Sequence, residues 1–152
     1  MLAIIIPYYK LTFFEETLQS LAIQTDKRFK VYIGDDASPE DPQELLEKYK
    51  GKFNFLYKRF EYNLGSSSLT KQWERCIAMT NNEEWIMILG DDDYLGETVV
   101  ASWYGNFVSF ISKSNLVRFA SKIQNDSSQS ISAVFEHPKW ESAGSNTILG
   151  EH

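Results

Sequence analysis

Four short apolar runs, Leu2–Ile6, Phe29–Ile33, Phe53–Phe60 and Trp85–Leu89, recur along the chain with helix-patterned segments between them. This alternation constrains the fold more than any other feature, because strands separated by helical crossovers pack as a parallel sheet. Leu2–Ile6 is continuously apolar and reads as a strand buried on both faces rather than one half in water. After it, Thr12-Phe13-Phe14-Glu15 fits a capping box, and Phe14, Leu18, Leu21 and Ala22 recur at helical spacing toward Gln24. A second helix is expected through Glu44, Leu45, Leu46, Lys48 and Tyr49, and a third through Leu69, Trp73, Cys76, Ile77 and Ala78. The predicted class is α/β, Rossmann-like, with a mostly parallel central sheet, helices on both faces, and strand carboxyl ends along one edge. Further on, Val99, Val100, Trp103, Phe107, Phe110 and Ile111 pattern a long amphipathic helix. Leu116–Ile123 and Ile131–Phe135 read as a strand pair around a polar Asn125–Ser130 turn, and the tail from Ala143 has little to pack.

With 152 residues, 43% of them hydrophobic, the chain has material for one α/β core, and residues 1–152 are expected to form a single domain. No stretch approaches the roughly 18 apolar residues of a membrane span, and Met1–Pro7 lacks the basic flank and cleavage signal of a secretory peptide, so a soluble polypeptide is expected. Cys76 is the single cysteine; its neighbours Trp73, Ile77 and Ala78 point to a buried structural thiol in a reducing compartment. A formal charge of −6 argues against a nucleic-acid partner, which requires clustered Lys and Arg. A phosphorylated small ligand would need its positive charge from backbone amides, from local cations such as Lys10, Lys71 and Arg75, or from a metal held by carboxylates.

The polar clusters at the ends of the runs carry the chemistry. Gly90-Asp91-Asp92-Asp93 puts adjacent carboxylates at a strand end, where they repel unless a cation or hydrogen-bond donors offset them. Hard divalent ions such as Mg²⁺ or Mn²⁺ suit such a cluster, completing their shell with water and phosphate oxygens; the alternative is an acidic turn capping a helix from Gly96. Asp35 and Asp36 hold the equivalent place after the second run and could accept from a base N–H or a ribose hydroxyl, or form an Asx turn. Asn63-Leu64-Gly65 is a tight turn whose glycine either permits close backbone approach to a ligand or only completes the turn. Trp73, Trp85 and Trp103 read as core and Trp140 as loop, while His137 and His152 lack any metal-ligand spacing.

The order of these segments resembles the family 2 glycosyltransferases of the GT-A fold. The matching stretches are Ile4-Ile5-Ile6-Pro7-Tyr8-Tyr9, Leu18-Gln19-Ser20-Leu21 with Gln24-Thr25, Val31-Tyr32-Ile33-Gly34-Asp35-Asp36-Ala37-Ser38, Asn63-Leu64-Gly65, and Trp85-Ile86-Met87-Ile88-Leu89-Gly90-Asp91-Asp92-Asp93-Tyr94-Leu95. Residue by residue, the resemblance implies that the backbone of Pro7, Tyr8 and Tyr9 together with Asp36 contacts the nucleotide base, usually uracil in this family. Asp91 or Asp92 would meet the ribose and diphosphate, and Asp92 or Asp93 would bind the Mn²⁺ or Mg²⁺ of a DxD motif. Gly90 stands where many members carry the first Asp of that motif. Inverting members place a catalytic carboxylate well downstream. Here Asp126, Glu136, Glu141 and Glu151 are the downstream carboxylates, none in a recognisable base motif, so the catalytic residue is unassigned.

The resemblance implies a hexosyltransferase-like enzyme that moves a sugar from a nucleoside-diphosphate donor, a UDP-sugar in the first instance, to a hydroxyl of a glycan or lipid-linked acceptor in polysaccharide synthesis. It further implies a chain truncated on its acceptor and catalytic-base side that binds donor but transfers sugar poorly, and a cytoplasmic location with membrane association of a longer protein left open. Two other readings stand beside it: a non-catalytic nucleotide- or protein-binding α/β module, and a phosphoryl-accepting signalling domain. The last needs a Lys after a later strand, for which Lys122 is the candidate, and leaves the Asn-Leu-Gly turn and the triple Asp unused.

Overall fold

In the computed structural model of the chain, which describes residues 1–110, 115–125, 132, 134 and 145–148, the first apolar run becomes the inner strand β1 (Leu2–Tyr8). There follow α1 (Phe14–Ala22), β2 (Phe29–Asp35), α2 (Gln43–Tyr49), β3 (Asn54–Arg59), α3 (Leu69–Ile77) and β4 (Trp85–Ile88). The sheet order is β3-β2-β1-β4 and every neighbouring pair is parallel. The chain divides into two compact units, Met1–Glu97 and Thr98–His152, the first holding this whole sheet.

Alternation along the strands assigns the two faces. Leu2, Ile4, Ile6 and Tyr8 share one face with their register partners Phe29, Val31, Ile33 and Asp35. Tyr8 packs its ring on Phe14 of α1, with centroids 4.6 Å apart, and Phe53 lies between Phe29 and Tyr49 of α2, so α1 and α2 cover this side. Ala3, Ile5 and Tyr32 point the other way, into a cluster closed by Cys76 of α3 and by Phe60, Ile77 and Met79. The helices therefore flank both faces, as the alternation predicts. Ile4, Ile5, Ile6, Val31 and Ile33 are wholly buried, and each such side chain contributes about 1.5–3 kcal/mol.

Local details depart from the sequence pattern for identifiable reasons. The Thr12–Glu15 capping box does not form: the N-cap is Phe13 with no side-chain bond, Phe14 N–H donates to Leu11 O at 3.0 Å, and Glu15 and Glu16 place negative charge in the first turn instead. A side-chain cap does form on α3, where Ser68 Oγ accepts from the Lys71 N–H at 3.3 Å. Trp73, expected in the core, is 38% exposed, because the buried stripe of α3 runs through Gln72 and Cys76 and leaves Trp73 a residue to one side. Trp103 is buried and Trp85 half-buried.

In the second unit α4 (Val99–Phe110) buries Val99, Val100 and Trp103, and Phe107 packs its ring against Trp103. A strand pairing that was not expected occurs here. β5 (Leu116–Phe119) pairs in parallel with β6 (Ser145–Ile148), drawn from the tail expected to be idle; the residues between supply the dozen or more that a parallel crossover needs. Most of Ile131–Phe135 and Asn125–Ser130 lies outside the described residues, as do Ile111, Trp140, His137 and His152. Among the described residues no helix is long and apolar enough to cross a membrane.

Candidate functional site

The loops after β1, β2 and β4 meet above the carboxyl edge of the sheet and are stitched together by hydrogen bonds. After β2, Asp35 and Asp36 point to opposite faces. Asp35, fully buried on the α1–α2 side, accepts from Tyr57 Oη at 2.6 Å and Arg59 Nη1 at 2.8 Å on one oxygen and from Ser38 N–H at 2.7 Å on the other. Burial and donation to this carboxylate push the Tyr57 hydroxyl far above its usual range. Arg59 also donates to Ser38 O at 2.7 Å, so β3 pins the loop from outside. Ala37 accepts a left-handed backbone with φ of 53°, the strain that lets the two neighbouring acids part company.

Asp36 faces α3. Its Oδ1 accepts from Leu64 N–H at 2.7 Å and from Arg75 Nη2, and its Oδ2 accepts from Gly65 N–H at 2.8 Å. The close approach permitted by Gly65 is thus to a carboxylate of the chain itself: a Cβ there would lie 2.5 Å from Asp36 Oδ2. Arg75 is braced in turn by Gln72 Oε1, by Tyr62 O at 3.0 Å, and by the faces of Phe60 and Tyr62. Gln72 is buried and donates to Gly34 O at 3.2 Å.

After β4, Asp91 clamps the first loop: its Oδ2 accepts from the N–H groups of Tyr9 at 2.7 Å and Lys10 at 2.8 Å. Ser38 Oγ donates to Tyr9 O at 2.6 Å and Asp36 N–H to Tyr8 O at 3.0 Å, which closes the three loops into one frame. Tyr8 itself looks inward, its hydroxyl donating to Glu40 O at 3.0 Å and pushed up to about 12 by burial. The Tyr9 N–H and the Tyr8 and Tyr9 carbonyls are thus already bonded within this frame.

Asp92 and Asp93 differ from Asp35, Asp36 and Asp91. Both are exposed, and neither carboxylate accepts a hydrogen bond from a described residue. Both turn toward Gly90: a Cβ there would meet Asp93 Oδ2 at 2.8 Å and Asp92 Oδ1 at 2.9 Å. The missing side chain of Gly90 thus leaves the space toward which both carboxylates turn. Hard oxygen donors in a pair, open to water, fit a divalent ion that takes one or two carboxylates and fills its shell from phosphate and solvent. They are not a complete cage, since no group of three metal-ligating side chains occurs among the described residues.

Thr17, which the sequence pattern did not single out, holds this frame together with Ser20 and Gln24 of the matching stretches. Thr17 and Ser20 on α1 and Gln24 just beyond it are buried polar groups: Thr17 Oγ1 donates to Asp93 O at 2.6 Å, Ser20 Oγ accepts from Leu95 N–H at 3.1 Å, and Gln24 Nε2 donates to Gly96 O at 2.7 Å. The available signal was their spacing, which puts polar groups on one flank of a helix whose neighbouring flank is apolar. Arg75, one of the three cations considered for a phosphorylated ligand, is tied to Asp36, while Lys10 and Lys71 are exposed. Cys76 is buried, its thiol pushed up to about 12 by desolvation, in keeping with a structural role. Asp126, Glu136, Glu141 and Glu151 lie outside the described residues.

Comparison with known proteins bears on this arrangement. Over 99 residues the chain is 28% identical to the poly(ribitol-phosphate) beta-N-acetylglucosaminyltransferase TarS of Staphylococcus aureus, in strains Mu50 and MW2, an alignment covering 62% of this chain and 17% of the relative. The chain therefore spans less than a fifth of the curated relatives it matches. Crystal structures of the S. aureus TarS 1–349 fragment in complex with UDP and with UDP-GlcNAc superimpose with TM-scores of 0.70 and 0.71 at 24% and 23% identity. They cover 80% of this chain and 35% and 34% of theirs, and this likeness establishes the GT-A-like fold. The model of glycosyl transferase family 2 matches residues 3–127, from the first strand to beyond β5, and the chain belongs to that family.

Proposed function

We propose that this chain forms the donor-binding part of a glycosyltransferase that moves a sugar from a nucleoside diphosphate, a uridine diphosphate sugar, to an acceptor hydroxyl in polysaccharide synthesis. The observation that carries the reading is the contrast within the frame: of the acids at the ends of β2 and β4, Asp35, Asp36 and Asp91 are engaged by the protein, whereas Asp92 and Asp93 turn toward Gly90 and face solvent. Those two would hold Mn²⁺ or Mg²⁺, and such an ion supplies charge to stabilise a departing diphosphate. Asp91 spends Oδ2 on the Tyr9 and Lys10 amides and keeps Oδ1 for a ribose hydroxyl or the diphosphate side of the ligand. Asp36, with the backbone of Pro7, Tyr8 and Tyr9 beside it, is assigned to the base. Family membership and the UDP and UDP-GlcNAc held by the TarS structures support this choice of donor. The acceptor is a glycan or lipid-linked hydroxyl, and its catalytic base is to be sought outside the described residues.

Calorimetric titration of UDP and GDP, with and without Mn²⁺, into the wild type and an Asp92→Ala, Asp93→Ala double variant tests the reading. Saturable binding that needs both the metal and the two carboxylates is expected. If the folded wild type binds neither nucleotide in the presence of Mn²⁺, the proposal gives way to an α/β module without a donor site.

A further inference from the structure

We infer that Arg75 is a specificity-determining residue of the donor pocket, set to favour a base that offers a single N–H to Asp36 over one that offers two. The inference rests on Asp36 as the base contact proposed above. An ionised carboxylate has about four lone-pair sites, two on each oxygen. In Asp36, Leu64 N–H and Arg75 Nη2 take both sites of Oδ1, and Gly65 N–H takes one of Oδ2. A single acceptor site is left, on Oδ2. Uracil presents one N–H between two carbonyls and matches it. Guanine presents its ring N–H and exocyclic amine side by side, and a carboxylate receives that edge only when each oxygen has a site to spare.

Of the three donors, Leu64 and Gly65 act through backbone fixed by the turn, so Arg75 is the one whose side chain sets the count. It is also the one built to stay. Its Nε donates to Gln72 Oε1 and its Nη2 to Tyr62 O, and its guanidinium carbon lies 4.0 Å from the Phe60 ring centroid and 5.2 Å from that of Tyr62. Gln72 is anchored to the end of β2 through Gly34 O, so the sheet fixes the arginine that limits Asp36. A planar cation held on two aromatic faces and two acceptors swings away less readily than a solvated one.

The test compares two purines of nearly equal size. Inosine diphosphate offers only its ring N–H, whereas GDP adds the exocyclic amine. With Mn²⁺ present, the wild type is expected to bind inosine diphosphate about tenfold more tightly than GDP, the scale of one unmade bond to a charged group. Arg75→Leu, which keeps bulk but removes the donors, is expected to erase or reverse that order, and Arg75→Lys to retain part of it. The ratio of two affinities on one preparation is insensitive to the folded fraction. Equal binding of the two purines by the wild type overturns the inference, as does an unchanged ratio in Arg75→Leu. Exclusion of both purines by a wild type that binds UDP overturns it too, because selection by size would leave Arg75 nothing to select. Asp36→Asn separates this from the parent reading: undiminished UDP binding by that variant removes Asp36 from the base contact while leaving the metal-dependent donor site standing.

Discussion

The chain uses the tripeptide Gly-Asp-Asp twice, at the end of β2 as Gly34-Asp35-Asp36 and just after β4 as Gly90-Asp91-Asp92, and the two copies meet opposite fates. The first sits on an inner strand between β1 and β3, and both its acids are buried and held by three donors each, Asp35 by Tyr57, Arg59 and Ser38 and Asp36 by Leu64, Gly65 and Arg75. The second follows the edge strand of the sheet, and there Asp91 is half engaged while Asp92 and its follower Asp93 are exposed. Identical local chemistry thus becomes a buried, largely occupied pair of acids in one place and an open candidate metal site in the other. The deciding variable is how many neighbouring elements supply donors: an inner strand has them on both sides and both faces.

That contrast is sharpest in the acids themselves. Asp35→Ala removes the acceptor of three buried or half-buried donors and is expected to cost about 2–4 kcal/mol of folding stability, whereas the Asp92→Ala, Asp93→Ala pair is expected to stay within about 0.5 kcal/mol of wild type. Urea denaturation of the two variants checks this. A large loss from the exposed pair would mean that it too is structural.

The glycines offer the next comparison. A Cβ on Gly34 would lie 2.3 Å from Cys76 Sγ inside the core, so Gly34→Ala is expected to cost about 1–3 kcal/mol, most of it recovered when Cys76→Ala is added. Gly90→Ala meets only the carboxylates of Asp92 and Asp93, which can turn into water; its expected effect is unchanged stability with about tenfold weaker Mn²⁺-dependent nucleotide binding. A denaturation series on both alanines, with calorimetry on the second, separates the two roles.

Alkaline pH should weaken the buried region selectively. Burial raises Cys76 from its usual 9.0 to about 12 and Tyr8 from 10.0 to about 12, so the folded protein keeps these protons after the unfolded chain has released them. Stability is therefore intact below about pH 9 and falls progressively toward pH 12 as ionisation rewards the unfolded state. Cys76→Ala should flatten the first part of that fall in a pH series of urea midpoints. Native Cys76 should also resist a thiol reagent at pH 8.

The smallest expected effect concerns strain. Ala37→Gly relieves a left-handed backbone but adds entropy to the unfolded chain, for a net gain of about 0.5 kcal/mol, read as a higher urea midpoint at unchanged slope. A loss of stability would show that the Ala37 methyl contributes packing that outweighs its strain.

The strands and helices of the first unit were legible because apolar runs and helical spacing report burial directly. Leu2–Ile6 and Phe29–Ile33 emerged as inner strands, each extended by two residues, to Tyr8 and to Asp35, because pairing in the register Pro7–Gly34 and Tyr8–Asp35 carries the ladder past the last apolar side chain. The positions of the strand-end acids were legible too, since a parallel sheet puts all its carboxyl ends on one edge. Trp73 was misplaced because hydrophobicity does not say which flank of a helix turns inward. The partner of β5 was missed because a short polar tail carries no periodic signal, although Ser145–Ile148 pairs with it.

By itself, then, the sequence determined a parallel α/β sheet, an edge lined with acids, and two Gly-Asp-Asp turns each open to a ligand or a structural reading. The tertiary structure alone decided how many acceptor sites of each carboxylate are taken by Arg59, Arg75 and backbone amides and how many are left to meet a ligand. The physical reason is that a carboxylate's chemistry depends on the donors within about 3 Å of it. Those donors come from strands, helices and turns distant in the chain, which only folding brings together.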